Sequence, residues 1–449
     1  MIDIENDLRR RFDDAVSDVS ASPDLLDAIE HRIVAQGRRA AALRVAAVVA
    51  VLGLTIGAGV AIASRGGGGD TTFATDPTAS STPSRGPGTW ATMADAPLAS
   101  RFQHAAVAMG DEVLVTSGLE TGPANLPTDA AVYDTAAETW RTVPDAPLFP
   151  GGAVGVWTGE EALLVSAEHG GDGPTPTSAR KAAAFDPDTD TWRELAAPPP
   201  GAIAGTVTHT VWTGSEMVVA TPGWGDEGKV LVYDPDADAW REASALSSPL
   251  PDLENIVWTG SEVAMVGYEQ PADADRGMEE VPVGEMVVAL YDPAADTWRT
   301  IPWGLDGARL DPAVGWTGTH VFVGGGEQLP GDAKRTDGAL LDPATGEWTP
   351  IAEAPSAYGG PATWTGAEII TSEFDRLTPL RYDPVADMWT VGATQPGEVV
   401  YDAPTVWSAG RLVTPLGGYE TVHETDDDGT PSVIGCCDHG PSGGLTYTP

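Results

Sequence analysis

The sequence Ala184-Phe185-Asp186-Pro187-Asp188-Thr189-Asp190-Thr191-Trp192 belongs to a motif that recurs along most of the chain. Each copy begins with an aromatic residue or Leu, continues with Asp, and ends with Trp seven positions after its first residue. The copies span Tyr133–Trp140, Phe185–Trp192, Tyr233–Trp240, Tyr291–Trp298, Leu341–Trp348 and Tyr382–Trp389. Asp-Pro favours a tight turn, because Pro fixes φ and the Asp side chain accepts hydrogen bonds from nearby backbone amides. The motif therefore predicts a β-hairpin.

A second motif, Trp-Thr-Gly followed by an apolar run, alternates with the first. It occurs at Trp157, Trp212, Trp258, Trp316 and Trp364, in a weaker form at Trp407, and with Ala108 in the place of its Trp. Successive positions are 43 to 58 residues apart. Two hairpins in each unit of about fifty residues are typical of the four-stranded blades of β-propellers.

The two ends of the repeat region predict how the ring closes. The chain ends with Leu445-Thr446-Tyr447-Thr448-Pro449, which matches the third strand of a unit without its fourth. A matching fourth strand, Gly88-Thr89-Trp90-Ala91-Thr92-Met93, precedes the first unit. Pairing of the two segments would cover both free sheet edges. The sequence therefore predicts an all-β fold over residues 88–449, a seven-bladed β-propeller whose last blade is completed by an N-terminal strand.

The repeat region resembles the kelch family of β-propellers. Kelch repeats have a Tyr and a Trp separated by six residues, as at Tyr233 and Trp240, and Arg101-Phe102-Gln103-His104 is similar to the start of a kelch strand. The kelch diglycine is present only near Gly324–Gly326 and Gly417–Gly418. Some members are enzymes, among them copper oxidases similar to galactose oxidase and sialic-acid epimerases. The copper type needs Tyr, His and a Tyr-crosslinked Cys, and no matching set is found here, so no catalytic residue and no cofactor is expected.

The segment before the repeats predicts a membrane attachment. Residues 1–44 have apolar residues at helical spacing and predict a short helical segment. Residues 45–64 are uncharged and almost wholly apolar, and as a helix they would span roughly 30 Å, the thickness of a bilayer core. Arg residues are concentrated before this segment, which predicts a cytoplasmic N-terminus and an extracytoplasmic propeller. Residues 65–87 are rich in Gly, Ser, Thr and Pro and predict a flexible linker.

An alternative is that the apolar segment is a cleaved signal. Ala61-Ile62-Ala63 resembles a peptidase site, and Arg38-Arg39 resembles a twin-arginine start. The charged segment of 44 residues is long for a signal peptide, which favours an uncleaved, single-pass cell-membrane protein. Residues 1–44 resemble the cytosolic part of actinobacterial anti-sigma-type membrane proteins without their zinc ligands, and a cytoplasmic protein is their expected partner.

The net charge excludes one class of partner. Asp and Glu outnumber Lys and Arg, and the formal net charge is −42 at pH 7. Such a surface repels nucleic-acid phosphate, so no nucleic-acid partner is expected, and it favours cations or cationic partners. Solubility is the simpler explanation of the same charge.

The long connections of the predicted blades share one face, which is the expected binding face because binding residues concentrate on variable loops. Most Trp residues belong to the repeat and are expected to pack between blades. Trp224 and Trp303 lie outside the repeat. Asp226 lies two positions after Trp224, and Asp306 lies three positions after Trp303. An exposed Trp beside a carboxylate can stack on a sugar ring or contact a cation. A Trp folded down to fix its own loop is the alternative.

The last long connection contains Cys436 and Cys437. Adjacent cysteines in an oxidising compartment could form a vicinal disulfide or pair with another chain. Their spacing does not match a zinc site, so no metal is expected.

These features favour a non-catalytic module that binds a glycan, peptide or protein at the cell surface through its loop face. A carbohydrate-active propeller enzyme is one alternative. The other is a transmembrane sensor whose cytoplasmic helices bind a regulator.

Overall fold

A computed structural model describes the chain from residue 86 onward, with gaps. The described residues are 86–120, 127–149, 152–167, 180–199, 209–221, 229–246, 252–268, 286–329, 333–374, 378–396, 400–401, 404–416, 418–425, 431–436 and 443–449. The predicted helical segment, membrane segment and most of the linker lie outside them. No helix is found in the described part of the chain, and hence none that could cross a membrane.

The first half of the described chain consists of short strands. They are β1 (Thr89–Thr92), β2 (Arg101–Phe102), β3 (Ala105–Met109), β4 (Glu112–Thr116), β5 (Leu119–Glu120), β6 (Ala130–Asp134), β7 (Thr139–Val143), β8 (Ala153–Trp157), β9 (Ala162–Ala167), β10 (Arg180–Asp186), β11 (Thr191–Glu194), β12 (His209–Trp212), β13 (Met217–Thr221), β14 (Lys229–Asp234), β15 (Ala239–Glu242), β16 (Asp252–Trp258), β17 (Val263–Tyr268), β18 (Met286–Asp292) and β19 (Thr297–Pro302).

The second half continues in the same way. Its strands are β20 (Ala308–Leu310), β21 (Ala313–Trp316), β22 (Val321–Gly324), β23 (Glu327–Leu329), β24 (Ala333–Lys334), β25 (Gly338–Leu341), β26 (Trp348–Pro350), β27 (Tyr358–Trp364), β28 (Ile369–Glu373), β29 (Pro379–Asp383), β30 (Met388–Val391), β31 (Val400–Tyr401), β32 (Val406–Ser408), β33 (Arg411–Pro415), β34 (Gly418–Thr425), β35 (Pro431–Cys436) and β36 (Gly444–Thr448).

Most strands form four-stranded antiparallel sheets. The orders are β3-β4-β6-β7, β11-β10-β9-β8, β12-β13-β14-β15, β16-β17-β18-β19 and β1-β36-β33-β32. An eight-stranded sheet, β26-β25-β22-β21-β27-β28-β29-β30, consists of two such units joined by one parallel pairing of Val314 with Pro361. The small sheets β2-β5, β20-β23-β24 and β31-β34-β35 are formed by connecting segments.

The two predicted hairpin turns have a clear physical basis. In the Trp-Thr-Gly turn, the Thr213 hydroxyl accepts a hydrogen bond from the Glu216 amide at 2.9 Å, and Gly214 adopts φ +99°. In the Asp-Pro turn, the Asp234 carboxylate accepts a hydrogen bond from the Asp236 amide at 2.9 Å, and Asp238 adopts φ +45°. Asp tolerates this left-handed conformation better than most residues, which explains the second Asp of the motif.

The turn length also explains the Tyr-Trp spacing. Tyr233 lies directly opposite Trp240 in the β14–β15 pairing, and their ring centroids are 4.9 Å apart. The outer strand β15 is partly exposed, whereas β12 and β13 are buried along their whole length. The continuous apolar runs of the inner strands follow from burial on both faces.

Neighbouring sheets share hydrophobic clusters. The clusters join the sheet of β3 to that of β8, β8 to β12, β12 to β16, β16 to β21, β21 to β27, β27 to β32, and β32 back to β3. This series returns to the sheet where it began.

The Trp of each outer strand makes the same link through a hydrogen bond. Its indole N–H donates to a backbone carbonyl at or just beyond the end of the outer strand of the preceding sheet. The pairs are Trp90–Ala393, Trp140–Ala94, Trp192–Pro144, Trp240–Ala196, Trp298–Ser244, Trp348–Pro302 and Trp389–Ala352, at 2.6 to 3.1 Å. The predicted role of these Trp residues between sheets is thus found in the structure.

The ends of the repeat region meet as the sequence predicts. Strand β1 pairs with β36 in antiparallel register, with Thr89 opposite Thr448 and Thr92 opposite Leu445. The described chain is therefore all-β, built of repeated four-stranded antiparallel sheets, and consistent with a β-propeller.

Candidate functional site

The sheets have two different edges. The turn edge carries the Thr-Gly and Asp-Pro hairpin turns, and the loop edge carries the connections between the second and third strands and between successive sheets. On the turn edge, the Arg that follows the outer-strand Trp forms an ion pair with the Glu of its own first hairpin. The pairs are Arg141–Glu112, Arg193–Glu161, Arg241–Glu216 and Arg299–Glu262.

The same edge is bonded from sheet to sheet. The Tyr291 hydroxyl donates to Asp296 Oδ1 at 2.8 Å, and the Ser244 amide of the preceding sheet donates to the same oxygen at 2.9 Å. Arg241 also donates to the Tyr291 hydroxyl at 2.8 Å. Backbone hydrogen bonding from Ser244, followed by that from Tyr291, lowers the pKa of Asp296. The turn-edge carboxylates are thus occupied by structural contacts.

Two buried Arg residues organise the loop edge. Arg101 Nη1 donates to Asp129 Oδ1 at 2.7 Å, and Arg309 Nη2 donates to Asp337 Oδ2 at 2.6 Å. Both guanidinium groups are fully buried and also donate to backbone carbonyls at the ends of β4 and β22. Each pair joins the segment before a first strand to the segment before a third strand. Arg101 and Arg309 therefore have structural roles.

Asp311 is the central residue of the candidate site. It lies between β20 and β21, adopts φ +52°, and is 2% exposed. Its amide donates to Glu254 Oε2 at 2.7 Å, and its carbonyl accepts from the Gly360 amide at 2.9 Å. Its backbone thus connects the sheets of β16 and β27, while its carboxyl group remains outside these contacts.

The Asp311 carboxyl group has an unused oxygen. Within the described residues, Oδ1 is buried and has no hydrogen-bond partner. Burial, with a further contribution from the negative charge of Glu327, raises the pKa of Asp311 to about 7. A buried polar atom without a partner costs free energy. A ligand that brings a hydrogen-bond donor or a positive charge would remove this cost.

Further polar groups lie at the starts of neighbouring first strands. Asn255 in β16 is fully buried, and its Nδ2 has no partner among the described residues. His209 begins β12 and is 1% exposed; neither ring nitrogen reaches a partner with hydrogen-bond geometry in the described part of the chain. Burial lowers the pKa of His209 to about 4, so the ring is neutral at pH 7. Strand β12 contacts β16, and β16 contacts β21.

We call His209, Glu254, Asn255 and Asp311 the first-strand cluster. Three successive sheets contribute these residues, and the hydrogen bond from the Asp311 amide to Glu254 directly joins two of the sheets. Within the described residues, no group of three or more His, Cys, Asp or Glu side chains is arranged to hold a metal ion.

Trp303, one of the predicted ligand-binding residues, is partly buried in the structure. Its ring contacts Trp348 edge-on with centroids 5.4 Å apart, and its indole nitrogen donates to the Gly307 carbonyl at 3.1 Å. Asp306 is exposed three residues later, and its carbonyl accepts a hydrogen bond from Arg309 at 3.4 Å. Trp303 therefore fixes its own loop through at least these two contacts.

The other predicted site residues lie outside what the structure describes. Trp224 and Asp226 fall in residues 222–228. Cys437 falls in residues 437–442, and only the strand assignment is described for Cys436. The predicted ligand contacts and the predicted vicinal disulfide stay predictions.

Sequence reasoning did not select the first-strand cluster. The sequence offers one parallel for Asp311, which follows Arg309 by two positions as Gln103 follows Arg101. In the structure both Asp311 and Gln103 adopt a positive φ. Glu254 and Asn255 have no such repeat relation, and their proximity to Asp311 follows from the packing of β16 beside β21.

No protein-family model matches the chain, and no curated protein matches it.

Proposed function

We propose that this protein is a membrane-anchored, extracytoplasmic, seven-bladed kelch-like β-propeller that acts as a non-catalytic binding module. In this proposal, each four-stranded sheet and each half of the eight-stranded sheet is one blade, and the β1–β36 pairing closes the ring. Residues 45–64 form the single membrane span, residues 1–44 lie in the cytoplasm, and the ligand is a glycan, peptide or protein at the cell surface.

The contrast between Asp311 and the turn-edge carboxylates supports a binding role for the loop edge. The turn-edge groups are paired with Arg, Tyr and backbone partners. The Asp311 carboxyl group is buried at the loop edge, and its Oδ1 has no hydrogen-bond partner among the described residues. A positively charged group on the ligand would favour ionisation of this carboxyl group, in agreement with the acidic character of the whole chain.

The full-length protein in detergent, applied to glycan and peptide arrays, tests this function. We expect ligands with ammonium or guanidinium groups to be retained, and the Asp311→Asn variant to lose about tenfold or more in affinity, which corresponds to a lost charge-assisted contact. Asp188→Asn is the matched control, because it removes the same charge from an exposed turn.

Equal binding by wild type and Asp311→Asn would reject the first-strand cluster as the site. Turnover of an array glycan by the wild type would reject the non-catalytic assignment in favour of an enzyme.

A further inference from the structure

One outer strand exposes large apolar side chains. Among the described residues, three large hydrophobic residues are exposed to solvent. Their exposed fractions are 95% for Val385, 54% for Met388 and 46% for Val391. Val385 lies in the hairpin turn before β30, and Met388 and Val391 are the first and last residues of β30. We call these three residues the apolar strip.

The repeat itself shows that the apolar strip is unusual. The hairpin motif aligns Val385 with Ala136, Asp188, Asp236, Ala294 and Ala344. It aligns Met388 with Thr139, Thr191, Ala239, Thr297 and Glu347, and Val391 with Thr142, Glu194, Glu242, Thr300 and Pro350. Small, polar or charged residues thus satisfy the structural needs of these positions, and the apolar side chains of one copy need another explanation.

Strand β30, like the outer strands β1 and β26, carries no charged side chain. It is the last strand of its sheet, so one of its backbone edges has no neighbouring strand among the residues that the structure describes. Four other outer strands have Arg directly after the motif Trp, whereas β30 has Thr390. Residues 388–397 contain no charged side chain. An exposed, uncharged apolar edge strand is a template for pairing with another strand.

The chain preceding the described residues leaves beside the end of this strand. The Ala393 amide, two residues beyond Val391, donates to the Pro87 carbonyl at 2.5 Å. Arg381 donates to the Gly86 carbonyl at 3.0 Å. The 85 preceding residues therefore begin next to the apolar strip. Two chains joined at β30 would have these starting points close together.

We propose that the apolar strip is the contact surface between two copies of this chain, with β30 of each copy pairing across a twofold axis. A twofold contact uses the same patch on both copies, so two identical free edges are complementary. With a net charge of −42, two copies repel each other over most of their surface, and the segment 388–397 contributes no charge to this repulsion. If residues 45–64 anchor both chains in one membrane, the adjacent starting points further raise the local concentration.

Sedimentation of the full-length protein in detergent over a range of concentrations tests the contact. We expect a monomer–dimer equilibrium, and the double variant Met388→Thr/Val391→Thr to raise the dissociation constant at least tenfold, because burial of these side chains drives association. Thr is the residue that β19 has at both positions, as Thr297 and Thr300, so the variant should fold with an unchanged melting temperature. Thr297→Ser/Thr300→Ser on β19 is the matched control.

Three results would overturn the proposal. The first is a wild type that stays monomeric at every concentration. The second is a dimer whose dissociation constant the β30 variant leaves unchanged, which would place the contact elsewhere, for instance in residues 45–64. The third is slow amide exchange over residues 71–85 in the monomer that the β30 variant abolishes, which would show that the chain's own linker covers the apolar strip. None of these results depends on ligand binding, so they are independent of the proposed function.

Discussion

The turn edge and the loop edge each have an Asp that connects neighbouring sheets, but the two residues do so in different ways. Asp296 on the turn edge uses its carboxylate, which accepts hydrogen bonds from Tyr291 and from the Ser244 amide. Asp311 on the loop edge uses its backbone, bonded to Glu254 and Gly360, and its Oδ1 lacks a partner among the described residues. The difference indicates that Asp296 maintains the fold through its carboxylate, whereas Asp311 does so through its backbone. The proposed function assigns the Asp311 carboxyl group to a ligand.

Removal of a turn-edge carboxylate should give the largest effect. Asp296→Ala leaves the Tyr291 hydroxyl and the Ser244 amide without this acceptor and places Ala at φ +51°. We expect the free energy of unfolding to fall by about 3 kcal/mol, measured by urea denaturation. Asp296→Asn keeps an acceptor and tolerates the left-handed conformation, so it should cost about 1 kcal/mol. Equal costs for the two variants would contradict the role given to the carboxylate acceptor.

The ionisation of Asp311 on the loop edge should make the free energy of unfolding depend on pH. The pKa of Asp311 is raised by burial from 3.8 to about 7. Between pH 3.8 and about pH 7, the Asp311 carboxyl group is ionised in the unfolded chain and protonated in the folded chain. The folded state therefore becomes less stable, relative to the unfolded state, as pH rises through this range. We expect Asp311→Asn to gain stability relative to the wild type from pH 4 to pH 7, by on the order of 2 kcal/mol, with no further gain above.

Melting temperatures of the wild type, Asp311→Asn and Asp188→Asn at several pH values measure this effect. The Asp188→Asn control should follow the wild type. A difference between Asp311→Asn and the wild type that does not change with pH would mean that the carboxyl group ionises normally in the folded state.

The smallest expected effect on stability is at the β1–β36 closure. A comparison of its Tyr hydroxyl with that of a continuous sheet tests how much the turn-edge carboxylates contribute. In a continuous sheet, the Tyr233 hydroxyl donates to Asp238 Oδ1 at 2.7 Å. At the closure, the Tyr447 hydroxyl donates at 2.8 Å to the Pro87 carbonyl, which replaces the turn carboxylate. Hydrogen bonds to charged groups contribute more than neutral ones.

We therefore expect Tyr233→Phe to cost about 2 kcal/mol and Tyr447→Phe about 1 kcal/mol in the free energy of unfolding. Chemical denaturation of both variants measures the difference. A larger cost for Tyr447→Phe would show that the closure, rather than the continuous hairpins, depends most on this contact.

The strands, both hairpin turns and the pairing of the chain's two repeat-region ends could be predicted from the sequence, because they depend on local chemistry. Pro, Gly and Asp set the turn conformations, and a turn of fixed length places Tyr233 opposite Trp240. The repetition of these motifs also assigned Trp residues such as Trp298 to contacts between sheets. These features can be predicted from the local sequence and from the order of the sheets along the chain.

The first-strand cluster could not be predicted in the same way, because its residues come from three sheets and the contact between Glu254 and Asp311 arises only when successive sheets pack. Glu254 precedes Asp311 by 57 residues, and the bond between them depends on β16 lying beside β21. The role of Trp303 was likewise open from the sequence, since a Trp beside acids can bind a sugar or fix its own loop. Its contact with Trp348 comes from the adjacent outer strand. Repeated local chemistry thus defined the architecture, and packing between sheets produced the buried carboxyl group that distinguishes one edge from the other.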